Sequence, residues 1–334
     1  MIPELNGMLL LVVALALLFD FTNGWHDSAN AIATVVSTRV LSPMVAVIMA
    51  GILNIAGAFM STAVAKMVGS GIVDPNSVTQ IVVASALGGA ILWNLFTLLL
   101  GLPTSSSHAL IGGLVGAGVA KAGVSSIVWP GLVTTGAFIV LSPLLGFFLA
   151  LLLVLSVSWA FVRANPHSVE PVFQWLQFGA ASLISLGHGG NDAQKTMGII
   201  AVLLFAQGHL GDEFYVPFWV VITCQAAIGL GTLFGGWRIV RTVGSKITRM
   251  TPVQGCCAST GGAIVLFAAT FLGIPVSTTH TVTGAVIGVG AARKASAVRW
   301  NIAGNIVVAW IITLPATAVV AAMCYLLSKW FSQS

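Results

Sequence analysis

The chain has 334 residues, of which 57% are hydrophobic and 6% charged, and its mean hydropathy is +1.03. Soluble domains carry roughly 25% charged residues, so 13 Lys and Arg with 8 Asp and Glu cannot coat a water-facing surface. A soluble enzyme and a disordered chain are both excluded. The net charge of +5 reads as the basic surplus of cytoplasmic loops in a membrane protein, not as a nucleic-acid surface.

A membrane-crossing helix needs about 20 apolar residues. The first apolar run, residues 8–21, lacks a basic lead-in and a small-residue cleavage site, so it reads as a helix and not as a removable signal. It stops at residues 22–27 (Thr-Asn-Gly-Trp-His-Asp) and resumes over 29–36. Unbroken spans are predicted over 44–64, 79–101, 132–161, 216–237, 253–273 and 302–327, the third with a kink at Pro143. The second of these meets Pro103-Thr104-Ser105-Ser106-Ser107-His108 before a short piece over 109–120. A run over 172–186 stops at residues 187–192 (Gly-His-Gly-Gly-Asn-Asp) and resumes over 196–206. The run over 253–273 meets Pro275-Val276-Ser277-Thr278-Thr279-His280 before 281–292. Cys224, Cys256, Cys257 and Cys324 sit in apolar runs without metal-ligand spacing, and the ten Trp read as interface anchors.

The interruptions come in two pairs. A constant shift of 172 places Gly101, Pro103, Ser105, His108, Gly112, Gly116 and Gly118 on identical residues from Gly273 to Gly290, and it also pairs Pro143 with Pro315. Upstream, Gly24-x-x-Asp27 matches Gly189-x-x-Asp192, with Asn30 opposite Lys195. The chain is therefore read as a duplication. Loop charge then orients the halves. Arg238, Arg241, Lys246, Arg249, Arg293, Lys294 and Arg299 occupy second-half loops whose first-half equivalents offer only Lys66 and Lys121. The basic loops belong inside, together with Arg39 and Arg163, while Asp74, Asp212 and Glu213 fall outside. The expected architecture is an all-α integral membrane protein with about ten hydrophobic segments, broken helices and re-entrant-like hairpins. Its first inverted repeat covers 1–162, a short cytoplasmic connector 163–170 and its second repeat 171–334, with both termini outside.

Breaks in a membrane helix survive only inside protein or beside a water-filled cavity. A carboxylate at such a place is a functional candidate, here Asp27 and Asp192. Pro103 and Pro275 are suited to open new helices, and Ser105, Ser106, Ser107, Ser277, Thr278 and Thr279 follow at their starts. A half-helix N-terminus offers free N–H groups, and hydroxyls add donors. Two such tips facing each other would hold a tetrahedral oxyanion with neutral donors that release it again. A divalent anion beside both Asp residues totals about −4 against one Lys195, so cations or protons must enter with it. The bland readings are that isolated hydroxyls bond back to the preceding turn and that a single Asp is the partner of a Lys. The glycine ladders serve close packing, Asp20 is structural, and His108 and His280 fix their loops through a carbonyl. His26 and His188 stand behind the carboxylates as supporting groups.

These residues resemble the inorganic phosphate transporter (PiT) family, specifically a bacterial-type low-affinity permease. The family's signature is a Gly-x-Asn-Asp-x-x-Asn-Ala type motif in each half, followed by Pro-x-Ser-[Ser/Thr]-[Ser/Thr]-His. The chain reads Gly24-Trp25-His26-Asp27-Ser28-Ala29-Asn30-Ala31 and Gly189-Gly190-Asn191-Asp192-Ala193-Gln194-Lys195. The resemblance implies a homodimeric phosphate symporter of the cell membrane, with no cofactor beyond the coupling H+ or Na+. It also implies roles for Asp27, Asn30, Asn191 and Asp192 in binding phosphate or cation, and any metal would sit at Asp27 and Asp192. Two departures stand out: His26 and Lys195 each replace a customary Asn. A Lys ammonium takes the place and charge of a sodium ion, which favours proton coupling, or carriage of a neutral metal–phosphate complex, over sodium. Sulfate is the competing oxyanion, although a titratable acceptor such as Asp27 favours phosphate. An intramembrane enzyme using the Ser/His pairs is the reading from another class, and paired carboxylates argue against an anion channel.

Overall fold

The computed structural model describes residues 6–60, 62–74, 77–211 and 213–333. Twelve α-helices account for its order: α1 (Gly7–Ser37), α2 (Pro43–Ala56), α3 (Ala63–Gly71), α4 (Gln80–Leu100), α5 (Ser106–Ala122), α6 (Trp129–Ala160), α7 (Pro166–Ala206), α8 (Phe218–Leu233), α9 (Trp237–Arg241), α10 (Pro252–Phe271), α11 (Thr278–Arg293) and α12 (Trp300–Gln333). Among the described residues, five are long and apolar enough to cross a membrane, or up to seven when each bent pair counts as one crossing. Asp212 lies outside the described residues.

The helices do not form two separate bundles. α11 packs on α6 and α5 on α12, while α1 packs on α8 and α7 on α2 and α3. Buried apolar side chains form two cores. One gathers the start of α1 (Leu9 to Phe19), α4, α5, α8 and the later part of α7 (Ala193 to Leu204). The other gathers the end of α1 (Ala29 to Val35), α2, α10, α11 and the earlier part of α7 (Ala181, Ile184). α1 and α7 thus run between the same two cores in opposite senses, and their polar stretches lie between them.

Several expectations need correction. The polar stretches at 22–27 and 187–192 do not break their helices, because α1 and α7 run straight through them. The glycines there serve close approach instead: a Cβ at Gly24 would stand 2.0 Å from the Ile228 carbonyl oxygen, and one at Gly189 2.2 Å from that of Asn54. The helix keeps its own backbone bonds while its polar side chains find partners on neighbours, so nothing is left to interrupt it. Conversely, two spans expected to be unbroken are bent. Residues 43–59 meet 63–69 at 81°, and 218–233 meet 237–246 at 61°. In the second bend the left-handed Gly235 (φ 63°) carries the turn. α6 carries Pro143 in its interior without ending there, and α7 begins at Pro166.

The breaks at the proline segments are present. Gly101 (φ 68°) and Gly273 (φ 69°) end α4 and α10 in left-handed geometry that glycine alone adopts without strain. Pro103 and Pro275 are not the first helical residues, since Ser105 and Ser277 are the N-caps and the prolines precede them by two. At 17 and 16 residues, α5 and α11 measure about 25 Å each, short of the roughly 30 Å hydrocarbon layer. The glycine ladder on them packs closely, as expected: a Cβ at Gly116 would stand 2.0 Å from the Ala318 oxygen, and one at Gly288 2.2 Å from that of Phe147.

Candidate functional site

Four helices converge between the two cores: the middles of α1 and α7 and the starts of α5 and α11. The carboxylates, hydroxyls, amides, ammonium and imidazoles gathered there are buried, with at most 3% exposure. Asp27 accepts from Ser106 Oγ on Oδ2 (3.2 Å) and from Thr279 Oγ1 on Oδ1 (3.2 Å). It is therefore held by one hydroxyl from each half of the chain. Asp192 accepts from Lys195 Nζ on Oδ1 (2.5 Å), and Thr278 Oγ1 lies 3.5 Å from the same oxygen.

The matched positions make matched contacts. Asn30 Nδ2 donates to Thr279 Oγ1 at 2.9 Å, and Lys195 Nζ donates to Ser107 Oγ at 2.5 Å. Asn30 corresponds to Lys195 and Ser107 to Thr279, so each half reaches across to the hydroxyl of the other. Lys195 donates its third hydrogen to the Val276 carbonyl at 2.9 Å. An ammonium has three donors, and all three are used.

Ser105 and Ser277 have a different job. Their hydroxyl oxygens accept the backbone N–H of His108 and His280, both at 3.2 Å, and so start α5 and α11. His108 and His280 meet edge to face with ring centroids 4.6 Å apart. His280 also stacks on Trp310 at 3.9 Å and lies 3.4 Å from the Ile139 oxygen. The carbonyl contact expected of both histidines is thus made by one. Trp310 Nε1 in turn donates to the Pro103 oxygen at 2.8 Å, tying the first tip down.

His26 and His188 were expected only as supporting groups, yet both touch the carboxylates. His26 Nδ1 is 2.8 Å from Asp27 Oδ1, with Nε2 3.1 Å from Thr97 Oγ1. His188 Nδ1 is 3.1 Å from Asn54 Oδ1, and Nε2 is 3.2 Å from Asp192 Oδ2. The Asn54 amide is itself oriented, because its Nδ2 donates to Thr232 Oγ1 at 2.7 Å. An acceptor at Nδ1 assigns the histidine's hydrogen there. The lone pair at Nε2 then faces a carboxylate oxygen, an arrangement completed by a proton or a cation between them. Ligand atoms of Asp27, His188 and Asp192 lie within 4.8 Å of one another, close enough to share one ion. Asn191 turns away from this group to Thr270 Oγ1 (3.0 Å).

Sequence reasoning missed Asn54, Thr97 and Thr270. A signal was present for Asn54, the lone polar side chain of α2. Thr97 and Thr270 carried none, since a threonine near a membrane-helix end is ordinary.

The site and fold can be set beside known proteins. Residues 23–321 match the model of the phosphate transporter family. A probable low-affinity inorganic phosphate transporter of Rhizobium meliloti is 68% identical over 97% of this chain and 96% of its own length. One of Bacillus subtilis is 42% identical over 95% of this chain and 96% of its own length. Among solved structures, one described as the sodium-dependent phosphate transporter superposes with a TM-score of 0.90 at 26% identity, covering 97% of this chain and 99% of that one. These are transporters, which leaves the Ser/His enzyme reading without support. The chain belongs to the phosphate transporter family, as a multi-pass, all-α membrane protein.

Proposed function

We propose that this protein imports inorganic phosphate across the cytoplasmic membrane as a cation-coupled symporter, with phosphate held between the tips of α5 and α11. The carrying observation is the crossed pair of contacts, Asn30 to Thr279 and Lys195 to Ser107. Hydroxyls of Ser106, Ser107, Thr278 and Thr279 gather around Asp27, Asp192 and Lys195, which now take up their bonds. An entering phosphate would accept from the same hydroxyls, and from the free N–H groups of two helix starts. Ser105 and Ser277 contribute by shaping those starts, and Asn30 and Lys195 by direct donation.

Charge sets the coupling. Two carboxylates against one ammonium leave the site negative before the anion arrives, so a positive charge must accompany it. Asp27 and Asp192, with His188 between them, are the place for that charge, and Asn191 lies one residue away. Lys195 already occupies the position and charge that a sodium ion would take beside Asn, so the coupling ion is a proton, or a divalent metal carried with the phosphate. The opposed run of α1 and α7 between the two cores supports an inverted repeat over 1–162 and 171–334. The loop carrying Arg249 meets the one carrying Arg299, where Arg299 N donates to the Ile247 oxygen at 2.9 Å. That basic end is cytoplasmic under the positive-inside tendency, which puts both termini outside. A homodimer completes the reading.

Uptake of labelled phosphate by purified protein in liposomes, with one ion gradient imposed at a time, tests this. A pH gradient should drive accumulation, a sodium gradient should not, and excess unlabelled sulfate should leave uptake unchanged. Uptake indifferent to every gradient would remove the symport reading, and competition by sulfate would remove the phosphate selectivity.

A further inference from the structure

A third buried carboxylate takes no part in the site described above. Asp20 lies on α1, seven residues before Asp27, or about 10 Å along the helix axis, and it is fully buried. Thr196 Oγ1 of α7 donates to its Oδ1 at 2.5 Å, while Oδ2 has no hydrogen-bond partner. The titratable groups facing it are Cys224 of α8, and Lys195 and Asp192 of α7. α2 and α4 also pack on α1 and carry no ionisable residue; α5, α9 and α11 meet α1 too, and their His108, Arg238, Arg241 and His280 are not among the groups that act on Asp20. Lys195 cannot serve as its counter-ion here, because all three ammonium hydrogens are already committed to Ser107, Asp192 and Val276.

A buried carboxylate with one oxygen unpartnered and no cation in contact, unlike Asp27 whose two oxygens both accept hydrogen bonds, favours its neutral form. The unsatisfied Oδ2 is where a hydrogen would sit, and Thr196 ties the group to the residue next to Lys195. We propose that Asp20 is a proton station on the way to the Asp27–Asp192 site, separate from the hydroxyls that hold phosphate. It rests on the phosphate-symport reading. In the proposed topology α1 begins outside, so Asp20 stands on the external side of Asp27. Its O–H bond forms with a proton from external water and breaks to pass that proton to the carboxylates of the Asp27–Asp192 site, with no change of oxidation state. Lys195 and Asp192 sense its charge and link its state to the occupancy of the anion site.

The test uses full-length protein in liposomes and two measurements: accumulation of labelled phosphate driven by a pH gradient, and phosphate–phosphate exchange at equal pH on both sides. Asp20→Asn, which mimics the permanently neutral acid, should reduce accumulation by at least about tenfold, in the range of ordinary site-to-site coupling. Exchange should persist in the same preparation, and Asp20→Glu should restore accumulation. Accumulation by Asp20→Asn equal to wild type would overturn the proposal, and so would loss of exchange from a variant that remains monodisperse. Should Asp20→Asn fail to fold, Thr196→Val decides. Removing a donor to the carboxylate favours the acid form, so the pH profile of uptake should move to higher pH, and an unmoved profile overturns the assignment. Wild-type protein that fails to exchange phosphate would instead sink the transport reading itself, which separates the two failures.

Discussion

The middle of α1 and the middle of α7 are built on one pattern and solve one problem with different chemistry. In α1, Asp27 is held by neutral hydroxyls and His26, and Asn30 reaches across to Thr279. In α7, Asp192 is held by the Lys195 ammonium, with the His188 Nε2 lone pair facing its other oxygen, and Lys195 reaches across to Ser107. The backbone frame is the same and the charge is not. The two halves thus present equivalent tips while the positive charge sits on one side only, so the two carboxylates are not interchangeable.

The largest effect should come from removing the ion pair that makes the difference. Asp192→Asn leaves Lys195 buried against neutral partners, and breaking a buried pair costs about 3–5 kcal/mol. Transport should be lost and the thermal midpoint of detergent-solubilised protein should fall steeply, whereas Asp27→Asn, which strands no ammonium, should abolish transport with a smaller fall. Equal losses of stability would dissolve the distinction between the halves. Next in size is a change to the shared frame. Gly24→Ala and Gly189→Ala each force a Cβ onto a carbonyl oxygen of a neighbouring helix, an overpacking worth about 1–3 kcal/mol. Both should lower stability to a similar degree, and a harmless Gly189→Ala would show that α7 is free to shift where α1 is not.

Lys195→Asn sharpens the comparison by making α7 repeat α1. Uptake should become dependent on external sodium, read as a new response to a sodium gradient; an unchanged ion preference would detach Lys195 from coupling. The smallest effect belongs to a single tip hydroxyl. Thr279→Val removes one hydrogen bond of about 1 kcal/mol, which corresponds to roughly a fivefold rise in the KM for phosphate. Thr279→Ser keeps the hydroxyl and should leave KM where it was.

Much of this was legible in the primary structure, for reasons that particular residues make plain. Composition decides the solvent, and the constant shift from Gly101–Gly118 to Gly273–Gly290 exposes the duplication before any coordinate is known. The left-handed turns at Gly101 and Gly273 follow from a glycine ahead of a proline, a local signal. The readings that failed treated a long-range effect as local. Gly24 and Gly189 look like helix breakers in a string of letters, but they are small because another backbone lies against them. The Asp20 contact with Thr196 left no local mark either, because the two are 176 positions apart.

What the chain determines by itself is therefore its medium, its repeat, its proline-led helix starts and the identity of the polar groups that a bilayer would tolerate only for use. These depend on nearest neighbours along the chain and on transfer free energies, both readable one residue at a time. Only the folded protein decided that α1 and α7 stay continuous, that each half lends its hydroxyl to the other, that His26 and His188 touch the carboxylates, and that Lys195 has no hydrogen left for Asp20. Those facts are set by which helices pack together, and packing partners hundreds of residues apart leave no periodic or local mark.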